Sequence, residues 1–86
     1  MKWVSIKEKI PTESGWYLAA IVPCNYRELP IDLINNWRKK FGCTKVWFNP
    51  DSSTGKWFEP DSHGEGMEII DEYVTHWTVL PEVPLI

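Results

Sequence analysis

Apolar residues along the chain fall into three kinds of spacing, and each predicts an element. From Trp16 to Val22 they run without interruption, bounded by Gly15 and Pro23, and seven such residues read as a strand covered on both faces. From Ile31 the spacing becomes helical: Ile31, Ile34, Trp37 and Phe41 recur on one stripe, with Leu33 beside it. Pro30 suits the first turn of that helix, where a missing N–H needs no partner. Arg38, Lys39 and Lys40 complement the dipole in its last turn and Gly42 supplies the stop, so a helix is predicted over 30–41. From Cys43 to Asn49 strict alternation takes over, with Thr44, Val46 and Phe48 on one face and Lys45 and Trp47 on the other.

The remaining elements are shorter. Trp3 to Ile6 is extended and ends in the turn at 11–15. The loop at 50–55 reverses the chain into Lys56–Glu59, completing a hairpin. An acidic loop, Pro60 to Gly66, leads through a short piece at Met67–Ile70 into a last strand, Tyr73 to Leu80. The tail Pro81-Glu82-Val83-Pro84 is held extended by its prolines. The expected fold is a single α+β domain over 1–86: a small antiparallel sheet of three to four strands with one helix packed on one face. The strands at 16–22 and 73–80 are apolar on both parities, and one short helix covers only one face. The other face therefore needs the N-terminal piece, the proline tail or a second subunit, and self-association is the expected solution.

Composition narrows the class. A chain of 86 residues with 43% hydrophobic and 24% charged content is neither disordered tail, coiled coil nor membrane span. Six tryptophans are many for a domain that buries only about 60–65% of its surface. The net charge of −3 disfavours nonspecific nucleic-acid binding. All nine basic residues lie in 1–58, whereas 59–86 holds seven acids and no base, a division that folding neutralises internally or displays as a bipolar surface. Cys24 and Cys43 make no disulfide framework, and the N-terminal residues lack the apolar run of a signal peptide. A cytoplasmic setting is expected.

The chain ends carry a pattern of fixed order and spacing: Trp3-Val4-Ser5-Ile6-Lys7-x-x-Ile10-Pro11 at the start, Val74-Thr75-His76-Trp77-x-x-Leu80-Pro81-x-x-Pro84 at the close. With the Gly15 turn, the 16–22 strand and Trp57 after Gly55, it resembles the phage and prophage family called domain of unknown function 551. The resemblance implies a small β-rich fold and a phage or mobile-element origin, hence host cytoplasm as the location. It carries over no activity and no functional residue. The predicted helix at 30–41 is an insertion relative to that pattern.

Candidate chemistry is sparse. Cys24, Cys43, His63 and His76 are zinc-ligand types, but no Cys-x-x-Cys or closely spaced His pair joins them, so no metal is assigned. His76 is either a functional imidazole or a strand histidine bonded to backbone near the terminal turn. Glu65, Glu68, Asp71 and Glu72 lack calcium-loop spacing and read as a solvated loop. Ser52, Ser53 and Thr54 read as turn residues. No catalytic set assembles, so neither enzyme activity nor a cofactor is expected.

The tryptophans sort further. Trp3, Trp57 and Trp77 belong to the resemblance pattern, and Trp37 to the helix stripe; all four are expected in the core. Trp47 shares its strand face with Lys45, and Lys56 lies across the hairpin. An aromatic flanked by cations holds a nucleobase and its phosphate; equally, lysine stems cover a half-buried tryptophan. The candidate ligand-binding residues are Trp47, Lys45, Lys56, Tyr26 and Arg27. Two functions are expected from this: a phage-type accessory protein that captures a nucleotide-like small molecule, or a protein–protein inhibitor acting on a host protein through an aromatic and acidic surface.

Overall fold

In the computed structural model, which describes residues 2–60 and 66–81, six strands and one helix follow each other along the chain. They are β1 (Val4–Ser5), β2 (Gly15–Ile21), α1 (Ile31–Phe41), β3 (Cys43–Phe48), β4 (Trp57–Pro60), β5 (Met67–Ile69) and β6 (Val74–Val79), with 3₁₀ turns at Tyr26–Glu28 and Asp71–Tyr73. The strands form one antiparallel sheet in the order β1-β6-β2-β3-β4-β5. Most of the acidic loop, with His63 and Glu65, and the tail beyond Pro81 lie outside the described residues.

The fold is α+β as expected, but the sheet has six strands, not three to four. The additional strands are short pieces at its margins: β1 has two residues and β5 three. They join the sheet through pairing with β6 and β4, which no local periodicity announces.

The helix keeps its predicted bounds to within a residue, yet it does not cover a sheet face. β2 and β3 are antiparallel neighbours, so α1 is an insertion in the connection of a hairpin and sits at the hairpin's end. The backbone N–H of Ile21 bonds the Gly42 carbonyl there at 2.8 Å. Of its stripe only Ile34 is buried and Trp37 half-buried, while Ile31, Leu33 and Phe41 are exposed.

The core face is covered by a crossover. β5 lies at one edge of the sheet and β6 on the far side of β2, so the chain must pass β4, β3 and β2 between them. Ile70 and Tyr73 of that crossover pack on Ala19, Val46, Phe48, Trp57 and Val74. The Asp71 carboxylate fastens it, accepting the backbone N–H of Lys56 at 3.0 Å and of Trp57 at 2.9 Å. Gly55 permits this closeness, since a Cβ there would lie 2.5 Å from the Ile69 side chain. The segment after β1 closes the same face from the other side, its Lys9 carbonyl accepting the Trp77 indole N–H at 2.8 Å and its Glu13 carbonyl the Tyr17 hydroxyl at 3.0 Å.

Four tryptophans were expected inside. Trp57 is buried and Trp77 packs half-buried against the core, but Trp37 is only half-buried and Trp3 is 37% exposed. Trp3 precedes the two-residue edge strand and lines an open cavity.

Candidate ligand-binding face

The side of the sheet opposite the core carries the alternate residues: Trp16, Leu18 and Ala20 of β2, Cys43, Lys45 and Trp47 of β3, His76 and Thr78 of β6. Thr78 is buried, but Trp16 is 40% exposed and Lys45 and Cys43 are exposed. Toward the β5 edge the same side continues through half-buried Phe58 to Ile69, which is 49% exposed.

At one end of this face Trp16 and Trp47 are directly opposed across the ladder, their rings edge-to-face with centroids 5.3 Å apart. The Lys45 ammonium stands 4.8 Å above the Trp16 ring centroid, within cation–π range. Alternation brought Lys45 and Trp47 to one side, and antiparallel register added Trp16 from 31 residues earlier in the chain. An open aromatic surface with a cation over it suits a planar ring carrying an anionic group.

At the other end a β-bulge interrupts the ladder. Ala20 faces His76 and Ile21 faces Val74, leaving Thr75 as the extra residue. The Thr75 hydroxyl donates to the Ala20 carbonyl at 3.2 Å and accepts the Arg38 guanidinium from α1 at 2.8 Å. The His76 ring Nδ1 lies 2.9 Å from the same oxygen, so His76 is held by a side chain, not by backbone. Trp3, Ala20, Arg38, Gly42, Cys43 and His76 line a cavity here of about 340 Å³. Gly42 is required at this corner, because a Cβ would lie 2.6 Å from the Arg38 backbone.

The five residues predicted for the site are divided by the fold. Lys45 and Trp47 come together, joined by Trp16. Lys56 sits beside Asn49, two pairing steps beyond the Trp47–Phe58 pair, and its ammonium donates to the Pro50 carbonyl at 2.9 Å, stapling the hairpin loop. Tyr26 and Arg27 lie in the first 3₁₀ turn; Arg27 pairs with Glu72 at 2.6 Å, donates to the Tyr26 hydroxyl at 3.2 Å, and Tyr26 packs edge-on against Tyr73. The Tyr26 hydroxyl first, and Glu72 second, hold the Arg27 guanidinium above its usual range. The cavity Tyr26 borders contains neither Trp47 nor Lys45. Arg38 and Trp3 were missed as site residues. Arg38 reads in sequence as an ordinary dipole-complementing charge, and its link to Thr75 crosses 37 residues.

The acidic residues also part company. Asp71 holds backbone, Glu72 pairs Arg27, and Glu68 stands opposite Glu59 across the β4–β5 ladder. Burial, then the facing Glu68, raises the Glu59 carboxyl above its ordinary value. Cys24 and Cys43 are both free and exposed.

A family model described as "Protein of unknown function (DUF551)" matches residues 2–85. No curated protein and no solved structure matches the chain.

Proposed function

Because the chain belongs to the DUF551 family, a family of unknown function, we propose a role from its geometry: a non-catalytic accessory binding protein that captures a nucleotide-like small molecule on the open aromatic and basic face. The observation that carries this reading is the Lys45 ammonium 4.8 Å over the Trp16 ring, with Trp47 edge-on beside it. A nucleobase stacks on such rings, and the lysine neutralises its phosphate. The phage setting implied by the resemblance makes a host defence signal the fitting ligand and the host cytoplasm the place of capture. A thermal-shift screen against mono-, di- and cyclic nucleotides tests this, since a ligand selective for the native state raises Tm. Trp47→Ala removes the shift while the protein stays folded. Unchanged Tm with every nucleotide, together with a host protein that co-purifies, overturns the reading.

A second reading is favoured by the β5 edge of the same face, next to Trp47. Met67 and Ile69 on the edge strand are 44% and 49% exposed beside Phe58, an apolar patch suited to a protein surface. In that reading the protein is an inhibitor or adaptor of a host protein, or covers this face with a second copy of itself. Sedimentation equilibrium of the wild type and of Ile69→Asp separates these outcomes: a mass that halves in the variant reports self-association.

A further inference from the structure

We infer that the cavity under Arg38 is a phosphate-binding subsite, and that the ligand is of dinucleotide size, one base on Trp16 and Trp47 and the second against Trp3. The subsite stands on its own geometry; the dinucleotide length rests on the proposed function.

Arg38 supplies the charge. One of its five N–H donors is spent on Thr75, which fixes the guanidinium at the bulge and leaves the rest of the fork for a ligand. Two carboxylates, Asp71 and Glu72, border a neighbouring cavity that Arg38 also lines. Both are otherwise engaged, Asp71 on the backbone N–H groups of Lys56 and Trp57 and Glu72 on Arg27. No carboxylate pairs with Arg38 among the described residues.

His76 supplies the complement. The single hydroxyl proton of Thr75 goes to the Ala20 carbonyl, so both contacts from Arg38 and His76 reach the oxygen's lone pairs. With the Thr75 proton on the Ala20 carbonyl, the His76 tautomer that fits carries its hydrogen on Nδ1 and offers Nε2 as an acceptor. A cation with N–H donors beside a ring acceptor matches a phosphate next to a sugar hydroxyl or a base N–H. Trp3 forms an aromatic wall, and Ala20 and Gly42 keep the cavity clear of bulk.

Distance sets the ligand's length. Trp47 and Cys43 lie at the two ends of the face on the same strand, four residues apart, or about 13 Å. Against that separation a nucleoside monophosphate is short, whereas two linked nucleotides are long enough. Linking converts the second contact into an intramolecular one and raises affinity without further contacts.

The test compares AMP, inorganic phosphate and the linear dinucleotide pApA by calorimetry. Wild type is expected to bind pApA at least tenfold more tightly than AMP. Arg38→Gln removes that advantage, so both bind with the affinity of AMP, and Thr75→Val lowers it in the same direction. Trp47→Ala weakens both ligands together. Side-chain NMR of the unmutated protein gives the same answer without variants, as pApA moves the Arg38 Nε–H and His76 ring signals. An unchanged pApA advantage in folded Arg38→Gln, or unmoved Arg38 and His76 signals at saturation, overturns the subsite. Inorganic phosphate moving those signals at concentrations as low as pApA overturns the dinucleotide length. If Arg38 and His76 respond to pApA while the Trp16 and Trp47 indoles stay still, the proposed function fails and the subsite stands.

Discussion

The two faces of one strand behave differently. On β3, Val46 and Phe48 are completely buried, while Lys45 and Trp47, alternating with them, look out over an open surface. The buried parity is backed by Ala19, Trp57, Val74 and a crossover that carries Ile70 and Tyr73. On the open parity the helix, which sits at the hairpin's end, contributes Arg38 beside the bulge and no covering layer over Lys45 and Trp47 among the described residues. Stability is thus concentrated on one side of the sheet, and the polar and aromatic chemistry on the other. Residues one position apart should fail in opposite ways when mutated.

The comparison breaks most severely if Phe48→Ala is tolerated. Truncating a fully buried Phe costs about 3–5 kcal/mol, a large part of the roughly 5–15 kcal/mol that holds a domain of this kind. Chemical denaturation should show most of the stability gone. Gly42→Ala comes next. Its new Cβ meets the Arg38 backbone at 2.6 Å, and overpacking costs about 1–3 kcal/mol. The same change displaces Arg38, so the pApA advantage should fall along with Tm. Trp47→Ala should cost about 1–2 kcal/mol, its edge-to-face pair with Trp16 plus the burial of a half-buried ring, while weakening nucleotide binding strongly. A loss as large as that of Phe48→Ala would place Trp47 in the core and erase the distinction between the faces.

The smallest effect has the opposite sign. Glu59 and Glu68 are directly opposed, and like charges in that position destabilise a sheet. Because the folded protein raises the Glu59 carboxyl, the native state holds its proton more firmly than the unfolded chain. Stability therefore falls as pH rises from the ordinary carboxyl value of 4.5 through the raised one, and the penalty is complete above it. Glu59→Gln should stabilise the protein near neutral pH by about 0.5 kcal/mol, or ~3 °C in Tm, a small gain because solvent screens a half-exposed pair. The gain should disappear in melts performed below pH 4.5.

What could be read from the chain depended on range. Four helical repeats, Pro30 and Gly42 define α1 locally, and alternation in β3 separates Val46 and Phe48 from Lys45 and Trp47. Both predictions hold because periodicity is a property of consecutive residues. The strand count was too low because Val4–Ser5 and Met67–Ile69 are too short to show a period and owe their existence to distant partners. The helix stripe announces an apolar neighbour without saying where it lies, and adjacency of β2 and β3 decided that. The site divided in the same way. Lys45 beside Trp47 follows from alternation, whereas Trp16 needed the register of β2 and Arg38 needed a bulge at Thr75. Lys56 was placed across the hairpin correctly, but its ammonium is engaged by the Pro50 carbonyl.

The sheet order has a consequence for how the chain reaches its fold. β6 lies between β1 and β2, so Val4 finds its neighbour only at Trp77, and Ala19 finds one of its two there as well. The hairpin β2–β3 can close early, but its edge remains unpaired until residues 74–79 arrive. Pairings this distant in sequence make folding slow. During synthesis the nascent β2 edge, with Trp16, Tyr17 and Leu18, stays available for wrong pairing until the last strand has emerged from the ribosome. Refolding rates should accordingly respond far more to substitutions in β6 that weaken its pairing with β2 than to equally destabilising ones in α1.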